Sequence, residues 1–116
     1  VIRSVLQLRP LPGKDGDVEE FFSRHRVLER ATSLPGCLDA SLHRPVQAGA
    51  PYVVIATWEG EADYQQWLDD PWRRSVTAEL GALLDGGPGE GEGGGVYRIV
   101  QEAGRRRGDN GEGGTG

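Results

Sequence analysis

The chain has 116 residues and a formal net charge of −5, which suits one domain and leaves little room for a second. With 13 Lys and Arg against 18 Asp and Glu it lacks the basic field of a nucleic-acid binder. No apolar run reaches membrane-spanning length, Val1-Ile2-Arg3-Ser4 is unlike the head of a signal peptide, and the lone Cys37 cannot form an internal disulfide, so a soluble cytoplasmic protein is expected.

Ile2 to Arg9 alternates, with Ile2, Ser4, Leu6 and Leu8 on one face and Arg3, Val5, Gln7 and Arg9 on the other. This predicts a strand, ended by Pro10-Leu11-Pro12-Gly13 because proline denies the ladder a donor. Asp17, three residues before Glu20, has the spacing of a capping box. Val18, Phe21, Phe22, His25 and Leu28 then repeat at helical spacing, predicting one amphipathic helix that closes near Ser33 at Leu34-Pro35-Gly36.

Cys37 to Arg44 predicts a second strand, with Leu38, Ala40 and Leu42 on one face and Cys37, Asp39, Ser41 and His43 on the other. Pro45 to Pro51 makes the connection to a third strand, Tyr52 to Trp58, which is apolar on both faces and therefore unsuited to water on either. Glu61 to Leu68 reads as a short helix, restarted at Pro71 with Trp72, Val76, Leu80, Leu83 and Leu84 as its apolar stripe. Val96 to Gln101 predicts a fourth strand. Most of the 19 glycines lie after Leu84. The expected organisation is one domain over residues 1–102, with a Gly-rich linker at 86–95, and a disordered Gly/Arg-rich tail at 103–116.

The order βαββαβ is the ferredoxin-like arrangement of the α+β class, an antiparallel sheet with helices on one face. Two helices cover that face. The other carries apolar residues on the first and third strands with nothing in the chain to cover it, so a homodimer packed sheet to sheet is expected.

Leu34-Pro35-Gly36-Cys37-Leu38 enters the second strand, and Thr57-Trp58-Glu59-Gly60-Glu61-Ala62-Asp63-Tyr64-Gln65-Gln66-Trp67 leaves the third. With the element order, these two stretches resemble the antibiotic biosynthesis monooxygenase family over Val1 to about Leu84. The resemblance implies a dimeric α/β barrel and an oxygenase. In one branch, small monooxygenases of the actinorhodin-anthrone and tetracenomycin type oxidise phenolic polyketides with molecular oxygen, several without metal, flavin or haem. A reduced flavin is the alternative cofactor. A second branch degrades haem, with an asparagine on the first strand, a tryptophan on the second helical region and an axial histidine beyond it. Here those positions fall at Gln7, Trp67 and about Val76, and valine cannot ligate iron. In the polyketide branch Trp58 and Tyr64 match, whereas the pocket asparagine is Val54 and the local match to the arginine is near Thr77.

A phenolate of this kind is electron-rich enough to reduce oxygen itself, so the enzyme need only bind the ring, favour the anion and exclude water. Trp58, Tyr64, Trp67 and Trp72, clustered within fifteen residues, supply aromatic surface. Trp58, Tyr64, Gln7 and His43 are the candidate catalytic residues. Trp67, Trp72, His25, Phe22 and Val54 are the candidate substrate-binding residues. Each has a plainer reading: Trp58, Trp67 and Trp72 as core, Tyr64 as a core edge, His43 as an exposed strand-end histidine, and His25 as a satisfied histidine beside Phe21 and Phe22. Gln7 is expected to orient a substrate oxygen through its carboxamide. Two histidines and one cysteine without ligand spacing imply no metal. A haem- or planar-ligand-binding protein and a polyketide cyclase are the competing functions.

Overall fold

The computed structural model describes residues 1–86 and 94–104. Most of the 86–95 linker and nearly all of the tail expected at 103–116 lie outside the described residues. The elements run β1 (Ile2–Leu8), α1 (Asp15–His25), α2 (Val27–Thr32), β2 (Cys37–His43), β3 (Tyr52–Trp58), α3 (Glu61–Asp69), α4 (Pro71–Leu80) with a closing 3₁₀ turn (Gly81–Leu83), and β4 (Gly95–Arg98). The four strands form one antiparallel sheet in the order β2-β3-β1-β4, the ferredoxin-like topology, with the helices on one face.

Strand alternation sorts the side chains. Ile2, Ser4, Leu6 and Leu8 pair across with Trp58, Ala56, Val54 and Tyr52 and face the helices. The main core joins Leu8 and Tyr52 to Val18, Phe21, Phe22, Val76, Leu80 and Leu84. A smaller cluster at the other end of the sheet holds Ile2, Ala56 and Trp58. The opposite face carries Val5, Gln7, Val53 and Ile55, all half-buried, with Tyr97 exposed.

The first helical stretch differs from expectation in two ways. It begins at Asp15, before Asp17, and no side chain caps it, so the capping-box spacing goes unused. It is also two helices rather than one. Arg26 takes φ 52°, in the left-handed region, and its N–H closes back on Phe22 and Ser23. The chain thereby turns and restarts as α2, which lays Val27, Leu28 and Ala31 over a different part of the sheet.

In β2 the register slips between Cys37 and Asp39, leaving Leu38 as an extra residue. Cys37 therefore joins the inward set with Ala40 and packs on the Ile2–Trp58 cluster, while Leu38 is 50 % exposed. This corrects the expected facing of Leu38. β4 also differs, running Gly95–Arg98 rather than Val96 to Gln101. No helix among the described residues is long and apolar enough to cross a membrane.

Candidate functional site

Between the inward face of the sheet and helices α2 to α4 lies a cavity of about 150 Å³. Its floor is Ser4, Leu6, Ala40, Val54 and Ala56; its far wall is Tyr64, Trp67 and Arg73. A deeper compartment of about 70 Å³ adjoins it, reaching Phe22, Trp72, Val76 and Thr77, and shares Leu6, Val27, Val54, Trp67 and Arg73 with the first. Trp67 and Arg73 thus stand on the boundary between the two. Helical spacing explains the wall: Tyr64 and Trp67, three apart, share one face of α3, and Arg73 and Thr77, four apart, share one face of α4.

The described lining of the larger cavity is mostly apolar, with few polar side chains: Ser4, Tyr64, Trp67 and Arg73. The Arg73 guanidinium lies 5.9 Å from the Trp67 ring centroid, within cation–π range. Arg73 is the one charged side chain among the described residues that line the larger cavity. Trp72 is held from two sides, by Trp67 at 6.4 Å and by Arg30 at 5.5 Å. Arg30 is itself fixed by two hydrogen bonds to Asp70, which hold that carboxyl below its ordinary pKa.

The sequence candidates divide. Tyr64, Trp67 and Val54 line the larger cavity; Phe22 and Trp72, with Val54 and Trp67 again, line the deeper one. Trp58 stands behind the cavity. It is fully buried, packs against Tyr64 with ring centroids 5.6 Å apart and planes tilted by 54°, and donates its indole N–H to Ser4 Oγ at 3.1 Å. Gln7 lies on the opposite face of the sheet, as its pairing with Val53 dictates, so it cannot reach a ligand held among the helices. His43 is also on that face and bonds Ser41 at 2.7 Å. His25 packs on the Phe21 ring at 4.3 Å with Glu79 at 3.7 Å, and is absent from both linings.

Two residues were missed. Ser4 is the one polar side chain in the inward series Ile2, Ser4, Leu6, Leu8, and that alternation was the available signal. Arg73 sits one helical turn before Thr77, and only the packing of α4 brings its guanidinium to the cavity.

The model of the antibiotic biosynthesis monooxygenase family matches residues 2–75. The chain belongs to that family. Among curated proteins none matches the chain. Solved structures share its fold at low identity. SnoaB from Streptomyces nogalater, described as a cofactor-independent oxygenase, is 20% identical with a TM-score of 0.63, over 87% of this chain and 92% of its own. The haem-degrader MhuD from Mycobacterium tuberculosis, solved with two haems in its active site, is 22% identical with a TM-score of 0.67, over 90% of this chain and 100% of its own. A conserved protein from Methanosarcina mazei Go1 is 21% identical with a TM-score of 0.69, over 85% and 92%.

A haem would need an iron ligand and room for the macrocycle. The described lining carries no histidine, cysteine or carboxylate, both histidines lie elsewhere, and Val76, where the family resemblance puts the axial histidine, lines the deeper compartment. Tyr64, the remaining donor of a type that binds haem iron, is packed against Trp58. These side chains do not fit haem.

Proposed function

We propose that this family member is a monooxygenase that oxidises a polycyclic phenol of the aromatic-polyketide type with molecular oxygen, in secondary-metabolite biosynthesis. The observation that carries the reading is a cavity whose described lining is mostly apolar and aromatic and includes the Arg73 guanidinium. A flat apolar ring gains from burial against Trp67 and the sheet floor. A guanidinium in such low-dielectric surroundings favours the phenolate or enolate over the neutral phenol.

That ionisation is the enabling step. Oxygen is a triplet and reacts slowly with closed-shell molecules, whereas an extended phenolate can pass it an electron directly. For an anthrone, the ring methylene loses two hydrogens and gains one oxygen atom, and the second oxygen atom leaves as water. All four electrons come from the substrate, so no further reductant enters the balance. Tyr64 supplies a phenol beside the same space, suited to hydrogen-bonding the substrate oxygen as charge develops. Burial between sheet and helices excludes water from the radical pair.

The functional unit is a homodimer in this reading. Val5, Val53 and Ile55 leave an apolar stripe on the sheet face away from the helices, and a second copy packed there would cover it. Sedimentation of the purified protein at micromolar concentration checks this; a stable monomer removes it.

The direct test of the activity mixes the protein with a hydroxyanthrone and follows oxygen uptake and product mass. Uptake faster than in buffer, with a product gaining oxygen, supports the reading. Acceleration only after adding reduced flavin makes the enzyme flavin-assisted. Loss of water without oxygen gain identifies a cyclase, and no acceleration under either condition overturns the proposal.

A further inference from the structure

The indole N–H of Trp58 is a donor only, so in its 3.1 Å contact with Ser4 the serine oxygen must accept. That leaves the Ser4 hydroxyl with one proton to give. Among the described residues, its strand neighbours offer no side-chain acceptor. Ser4 pairs across the sheet with Ala56 on β3 and Val96 on β4, and its neighbours on the inward face of β1 are Ile2 and Leu6. The backbone on either side is engaged in ladders to both neighbouring strands. Among the described residues Trp58 is the one side-chain partner of Ser4, and Ser4 lines the larger cavity.

A hydroxyl donor without an acceptor among the described side chains, placed on an apolar floor, costs free energy unless water or a ligand takes its proton. Trp58 does more than fill space: fully buried and packed at a tilt against Tyr64, it holds its N–H on Ser4 and so occupies one lone pair of the hydroxyl. We propose that Ser4 is a specificity-determining residue of the cavity, donating its proton to a carbonyl or phenolate oxygen of the substrate, with Trp58 as the positioning residue that orients it. This deepens the reading of the cavity as an oxygenase pocket and rests on it. It assigns the substrate an acceptor oxygen over the floor, in addition to any that meets the Arg73 and Tyr64 wall.

The test uses dithranol, a dihydroxyanthrone, titrated spectrophotometrically under argon so that binding is read apart from turnover. Ser4→Ala is expected to weaken binding about tenfold, the worth of a hydrogen bond to a charged oxygen. It should also raise the apparent pKa of the bound phenol by about one unit, because the lost donor had favoured the anion. Ser4→Thr, which keeps the hydroxyl, should restore both. Trp58→Phe should move both readouts in the same direction by less, and add nothing in the double variant with Ser4→Ala. Circular dichroism and a thermal melt show which variants are folded.

If Trp58→Phe does not fold, NMR of the ligand-free Ser4→Ala protein decides the positioning role. The Trp58 indole N–H resonance must move upfield when its acceptor is removed, and an unmoved resonance overturns the pairing. If the wild type binds and oxidises dithranol while Ser4→Ala matches it in affinity and phenol pKa, the role of Ser4 falls and the oxygenase reading stands. If the wild type neither binds dithranol nor consumes oxygen with it, the oxygenase reading falls and this inference with it.

Discussion

Tyr52 donates its phenolic proton to Glu19, and Arg44 grips the same carboxylate through two hydrogen bonds of 2.6 and 2.8 Å. The cluster ties α1 to the start of β3 and to the residue that follows β2. Tyr52 is 2 % exposed, so its hydroxyl depends on that partner. The two Arg44 hydrogen bonds, followed by that of Tyr52, draw the Glu19 carboxyl down from 4.5 to about 2. Burial and the neighbouring carboxylate push the Tyr52 phenol up.

A pH dependence follows from Glu19. Its folded pKa is depressed, so its contribution is full above 4.5 and disappears as pH falls towards about 2. Glu19→Gln should melt below the wild type at neutral pH, and the gap should close through that acid window. Thermal melts across the range check it. A gap that stayed constant to the acid end would mean the carboxylate charge contributes nothing to the cluster.

Gly36, in the turn entering β2, has φ 87°, where an L side chain is strained. A Cβ there would lie 2.2 Å from Cγ of Asp63 on α3, so the carboxylate must also be displaced. Gly36→Ala should therefore cost about 2 kcal/mol, above the backbone strain alone. It should also disturb α3 and with it Tyr64, one residue along from Asp63. Chemical denaturation gives the stability loss, and near-ultraviolet circular dichroism of the tryptophans reports the shift. An unchanged midpoint would sink the account.

The same turn shows what was readable from sequence. Element order, the extent of β3 and the restart at Pro71 followed from periodicity and proline placement, because each is set locally. Strand parity also put Gln7 on the face of Val5. The need of a buried amide for a partner, together with the family position, suggested a pocket role for Gln7, whereas pairing places it across the sheet from the cavity. Ser4 was legible as a polar break in an apolar series. Arg73 was not, because which face of α4 meets the sheet depends on packing. The bulge at Leu38 and the left-handed Arg26 were equally invisible: both are set by how neighbouring elements must fit, and no glycine marks either.

Arg26 offers a stabilising change. A left-handed residue with a Cβ carries a strain of about 1–2 kcal/mol, part of which glycine recovers after its greater freedom in the unfolded chain is subtracted. Arg26→Gly is expected to raise stability by about 0.5 kcal/mol, or a few degrees in melting temperature. Arg26→Val, β-branched and worse in this region, should lower it. The reverse order would mean that α1 and α2 are not separated by a left-handed residue in solution.

The catalytic prediction separates the cavity wall from the histidines. If Arg73 stabilises the substrate anion, Arg73→Ala should lower kcat/KM for a hydroxyanthrone at least about tenfold. The loss should shrink at high pH, where the phenol ionises without help, and Arg73→Lys should recover part of it because the charge is retained. Tyr64→Phe removes a donor but no charge, so its smaller loss should persist at high pH. His43→Gln and His25→Gln should leave the rate unchanged, since one side chain is bonded to Ser41 on the far face of the sheet and the other is stacked on Phe21. Oxygen-uptake kinetics of the variants across pH distinguish these patterns. A histidine variant that abolished turnover, with Arg73→Ala unaffected, would move the proton transfer out of this cavity and require the dimer face of the sheet to hold the site.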